Sequence, residues 1–152
     1  LWNGIFKNNL LISGDIFYKN GKKYYSGKIK YPDNLSIDNI ISNDKLGNNM
    51  VFYGQSKFYY NNDSNNIEYT GNLDNNKYNG YGTLYSSNGI KKYEGEWVDG
   101  RRNGQGNTYY ESEIIQYMGT WINDDRNGEG TIFDSEGTMI VTGMFENNEL
   151  IG

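Results

Sequence analysis

From residue 69 onward, aromatic and glycine positions alternate with polar ones in short bursts. In Tyr93-Glu-Gly-Glu-Trp97 the aromatic, glycine and aromatic places are separated by two glutamates. That is the period of two shown by a strand with one packed and one wet face. The next burst, Gly106-Asn-Thr-Tyr-Tyr110, is rich in β-branched and aromatic residues, as are Gly82-Thr-Leu-Tyr85 and Gly130-Thr-Ile-Phe133. It predicts a second strand. Between the bursts lie Val98-Asp-Gly-Arg-Arg-Asn-Gly104 and its equivalents. Their Asp-Gly and Asn-Gly steps supply the positive φ angles of a tight turn, so each unit predicts a β-hairpin.

The pattern recurs every 24 residues: units open at Tyr69, Tyr93, Tyr117 and Val141 in strict register. Weaker openings stand at Tyr25, with Gly27 and Ile29, and at Trp2, with Gly4 and Phe6. Tyr25 and Tyr69 are 44 residues apart, which places an insertion at about 33–51. Insertions of this kind map to loops on one face. Ile37, Ile40, Ile41 and Leu46 are candidates for a short helix or extra hairpin that touches a partner, against an Asn-rich disordered excursion. One hairpin is marginal in water, so the units must stack. The expected fold is all-β: tandem hairpins in an elongated, twisted, single-layer antiparallel sheet. A Gly recurring beside aromatic places implies a close ring, so Tyr93 and Trp97 are expected to lie over glycines of a neighbouring unit.

Composition agrees. Ala is absent, Gly occurs 20 times and Asn 24 times, which disfavours helices. Of the 152 residues 36% are hydrophobic, and 15 are Tyr, so flat amphipathic rings must supply much of the burial. The net charge of −5 argues against a nucleic-acid partner. With no Cys and no His, disulfides, thiolate nucleophiles, Ser-His-Asp relays and the usual zinc ligands are excluded. No cofactor or metal site is expected. Glu94 and Glu96 fall on a wet strand face with nothing to separate their pKa values, so no enzyme is expected either. A start at Leu1 is expected of a fragment of a longer chain.

The pattern Tyr-x-Gly-x-Trp-x-x-Gly-x-x-x-Gly-x-Gly is complete at Tyr93, Gly95, Trp97, Gly100, Gly104 and Gly106. It resembles the MORN (membrane occupation and recognition nexus) repeat. Tyr117 to Gly130 departs from it only at Asp124; Tyr69 to Gly82 has Leu73 for Trp and Asn76 for Gly; Val141 to Gly152 replaces both aromatics, with Val141 for Tyr and Phe145 for Trp; residues 1–68 match poorly. The resemblance implies a curved or extended sheet and a non-catalytic scaffold or adaptor that binds proteins along its face, with links to phosphoinositides. It also implies a cytoplasmic setting, at the cytoskeleton or the inner face of a membrane. The Asn-rich, Ala-free usage suits a low-GC genome, protozoan or bacterial.

Three interaction hypotheses follow. A partner helix or extended peptide would bind an aromatic face made of Tyr85, Tyr109, Tyr110 and Phe133, with Trp97 and Trp121, although the latter two are first of all packing residues. Acidic lipid would bind a basic edge of Lys91, Lys92, Arg101, Arg102 and Arg126. A homodimer would form end to end or back to back.

Overall fold

The computed structural model describes residues 1–7, 10–31 and 50–152. Twelve strands follow one another in chain order: β1 (Trp2–Lys7), β2 (Leu10–Phe17), β3 (Lys23–Lys30), β4 (Val51–Tyr59), β5 (Ile67–Asp74), β6 (Lys77–Tyr85), β7 (Lys91–Val98), β8 (Arg101–Tyr109), β9 (Ile115–Ile122), β10 (Asp125–Phe133), β11 (Met139–Glu146) and β12 (Glu149–Leu150). They form one antiparallel sheet whose spatial order is the sequence order, and no described segment is helical. The expected insertion, with its four candidate apolar residues, lies outside the described residues except at its end, where Met50 is buried and Val51 opens β4.

Glycines stand opposite one another across the sheet. Gly71 pairs with Gly82, Gly82 with Gly95, Gly95 with Gly106, Gly106 with Gly119, Gly119 with Gly130 and Gly130 with Gly143. This stripe is the floor for the tyrosines. The Tyr69, Tyr93 and Tyr117 hydroxyls each donate to the carbonyl three residues on, at 2.9, 3.0 and 3.2 Å, so each ring is pinned flat along its own strand. A Cβ on Gly82 would stand 2.7 Å from Tyr69 Cε2, and one on Gly106 2.6 Å from Tyr93 Cε2. Each ring therefore covers the glycine pair of its own hairpin, not a neighbour's as the sequence suggested. Burying such a ring is worth roughly 2–3 kcal/mol, which outweighs the roughly 0.5–1 kcal/mol that a strand glycine costs. In the early unit Ser56 takes the glycine's place and meets the Tyr25 hydroxyl at 2.8 Å.

The tryptophans join units. Trp97 and Trp121 are each 4% exposed, and their indole N–H groups donate to the carbonyls of Gly82 and Gly106 in the preceding hairpin. Their rings pack edge-on against Tyr93 and Tyr117. A row of buried side chains from Tyr25 to Phe145 thus forms a core on one face, called inner here; the other is the outer face.

Two kinds of turn alternate. At one end of the strands, Asn75-Asn76, Asp99-Gly100, Asn123-Asp124 and Asn147-Asn148 each have positive φ at both places, the type I′ geometry that matches strand twist. The Asn103-Gly104 step lies inside β8 and is no turn. At the other end, three-residue loops such as Ser87 to Gly89 close Ser86 N–H onto the Ile90 carbonyl. Every one of these loops is flanked by a register shift: Tyr85 pairs with Lys91 but Leu84 with Tyr93, and Tyr109 with Ile115 but Thr108 with Tyr117.

Candidate interaction face

Those register shifts are β-bulges, and a bulge reverses which face successive side chains take. Lys91 and Lys92 show the effect. Lys91 points outward, bridges Glu94 at 2.7 Å and lies 5.1 Å from the Tyr109 ring centre. Lys92 lines a hollow on the inner face. Its equivalents 24 residues away, Glu68 and Gln116, line inner-face hollows too, and so does Tyr24.

Three such hollows run together. The largest, about 620 Å³, lies among Tyr78, Leu84, Lys92, Trp97, Arg102 and Gln116. A second of about 350 Å³ shares Tyr78 and Gly100 with it, and a third of about 300 Å³ shares Arg102, Thr108 and Gln116. The result is one groove crossing the inner face over several repeats, floored by aromatic edges with Leu84 and Ile132 and rimmed by polar side chains.

A planar side chain stacks on the first tyrosine of each unit. Phe52 lies over Tyr25 with centres 4.1 Å apart, and Tyr78 over Tyr69 at 3.8 Å. Arg102 and Arg126 take the same place, 5.8 Å from the Tyr93 and 5.5 Å from the Tyr117 ring centres. Arg102 also sits 4.1 Å from the Trp121 ring and donates from Nε to Asp124 Oδ1 at 3.1 Å. These residues are held by the following turn. Asn76 Oδ1 accepts from Phe52 N–H, Asp124 Oδ1 from Arg102 N–H and Asn148 Oδ1 from Arg126 N–H, while Gly100 N–H donates to the Tyr78 carbonyl. The departures from the repeat pattern at Asn76 and Asp124 are thus clips between units. Burial pushes the Tyr25 and Tyr78 hydroxyls up to about 12, and raises those of Tyr69 and Tyr93 further.

The residues expected to take an acidic lipid are dispersed. Arg101 is exposed and follows the turn, Arg102 and Arg126 are stacked in the groove, Lys92 is on its rim and Lys91 is on the opposite face. The residues expected to take a protein partner separate as well. Trp97 and Trp121 belong to the core. Tyr85, Tyr109 and Phe133 sit half-buried at the register shifts; Tyr109 borders the largest hollow, and its hydroxyl donates to outward-facing Glu94 at 3.0 Å. Lys91 and Tyr109 hold the Glu94 carboxyl below its usual range. Tyr110, beyond the bulge, donates to the Phe133 carbonyl at 2.8 Å and so ties two units. Pattern reading missed Tyr24, Glu68 and Gln116. The signal was the residue of positive φ closing the loop before each of them, Gly21, Asn65 and Glu113, since such a loop carries a bulge and exchanges the faces of the residues beside it. Among the described residues no three carboxylates gather as metal ligands would, and no helix is long and apolar enough to cross a membrane.

A model of the MORN repeat matches residues 69–91, 93–112 and 117–139, the three hairpins with the full tyrosine and glycine floor. Residues 69–139 carry three consecutive MORN repeats. The antiparallel hairpin pairing continues on both sides of the matched units, through β1–β4 and into β11–β12. MORN repeats are non-enzymatic modules that serve interaction with proteins or membranes. No curated protein matches the chain significantly.

Proposed function

We propose that this MORN array is a scaffold or adaptor whose inner-face groove holds an apolar helix or extended segment of a partner protein. The observation that carries the reading is the continuity of the groove: hollows of successive repeats share residues, so one elongated ligand meets several repeats at once. Leu84, Ile132 and the edges of Tyr78 and Trp97 offer apolar contact, and Glu68, Lys92 and Gln116 set charge along the rim. The rim residue differs between units, Glu68, Lys92 and Gln116, while the tyrosines and glycines beneath repeat, which separates specificity from fold.

The test is capture of proteins from a lysate of the source cells on immobilised wild-type chain and two variants checked by circular dichroism. Lys92→Glu with Gln116→Glu alters the groove rim; Tyr85→Ser with Tyr109→Ser and Phe133→Ser alters the outer face. A protein lost by the rim variant alone supports the groove. Loss by the outer variant alone puts the partner on the opposite face. Retention only on phosphoinositide vesicles, offered in parallel, makes the array a membrane module instead.

A further inference from the structure

The net charge of −5 conceals a strong polarity. Residues 1–59 carry eight lysines against four aspartates, three of which lie in 32–49, whereas residues 60–152 carry fifteen carboxylates against six basic side chains. The strand order lays this division out in space, because β1–β4 occupy one end of the sheet and β5–β12 the rest.

The outer face concentrates it. On β3 and β4, Lys28, Lys30 and Lys57 are exposed and alternate with buried Ile29, Ser56 and half-buried Phe58. Among the described residues none of the three makes an ion pair. Lys23, paired to Asp15 at 3.0 Å, adds to the same face. In the other half, Glu96 on β7, Glu129 on β10 and Glu146 on β11 are exposed at places alternating with the core, and they too are without an ion pair among the described residues. Between the two regions stands Tyr81 on β6, 60% exposed, more than any other aromatic side chain described. Beside it lie small polar side chains, Thr70 and Thr83. This is a face with one charge at one end, the opposite charge at the other and a bare ring near its middle.

We propose that two copies of the chain associate outer face to outer face and antiparallel, Lys28, Lys30 and Lys57 of each facing Glu96, Glu129 and Glu146 of the other, with Tyr81 near the two-fold axis. The complement of the basic surface is thus carried by the chain itself. An antiparallel two-fold pairing satisfies both ends at once, since the contact of residue i with j is repeated as j with i. Parallel pairing would set lysine against lysine. Area allows it: eleven strand spacings of about 4.8 Å and strands of about 25 Å give a face on the order of 1,000 Å², against roughly 800 Å² per partner in a stable complex. The inner grooves stay free and point away from each other, which makes the pair bivalent.

Sedimentation velocity of the whole chain at low and high salt gives the first reading. Dimer at low salt and monomer at high salt is expected, because exposed pairs are screened. Lys28→Glu with Lys30→Glu and Lys57→Glu should be monomeric, and so should Glu96→Lys with Glu129→Lys and Glu146→Lys, each with unchanged circular dichroism and unfolding midpoint. Mixed together, the two variants should recover the dimer mass, since every contact between them is again attractive. A wild type that stays monomeric at low salt overturns the proposal. So does a dimer that survives either reversal, or a mixture that fails to associate. A monomer that instead binds phosphatidylserine vesicles through the three lysines overturns it in favour of an anionic surface.

Discussion

Tyr93 rests on two glycines, and the contact is too close for any other residue. Replacing Gly106 with Ala should cost about 2–4 kcal/mol, because the added methyl meets the ring and the backbone beneath cannot yield; urea unfolding would measure it. Glu113 offers the opposite case. It closes the loop after β8 with φ of 63°, where sibling loops have Gly89 and Gly137. Glu113→Gly should therefore stabilise by about 0.5–1 kcal/mol, visible as a raised thermal midpoint. The buried tyrosines set the response to pH. Their hydroxyls ionise later in the folded chain than in the unfolded one, where the ordinary value is about 10. Stability is thus fully present below that value and falls as pH rises through it toward 12. Urea midpoints followed with tyrosinate absorbance should show a steep alkaline loss. The ring, glycine and tryptophan places were legible in the sequence because they repeat at fixed spacing.

At the scale of the element, the hairpin was legible and its handedness of faces was not. Asp99-Gly100 forms the expected turn. The bulge beside each such loop moves the side chains that precede the unit's first tyrosine to the other face, and alternation counted straight through it puts Lys91 and Lys92 on the wrong sides. Arg102 and Arg126 read as a solvated basic edge because turn arginines usually are; here each lies in the stacking place that Phe52 and Tyr78 fill elsewhere. The clip between units gives a prediction of its own. Asp124→Gly should cost less than about 1 kcal/mol, as Gly100 fills the equivalent place and tolerates the positive φ. Asp124→Val should cost more than about 2 kcal/mol, since it forces a β-branched residue to φ of 75° and removes the acceptor for Arg102 N–H and Nε. Thermal unfolding of the pair separates backbone from side-chain effects.

The described strands form a meander without crossovers, in which each strand pairs only with its sequence neighbours. That topology follows from the spacing of the units and was fully readable. The charge polarity was not, because a net value averages the two halves. The strand order has a mechanical corollary. Chain ends pulled apart would load the inter-strand hydrogen bonds one at a time, along the bond direction, as a zipper is opened and not as a lap joint is sheared. Each hairpin should then give way separately and at low force. For the units opening at Tyr69, Tyr93 and Tyr117, each event should release 24 residues, a lengthening of about 80 Å. Such an array yields stepwise under tension and re-forms from whichever end is slackened, which suits a tether that must lengthen without breaking.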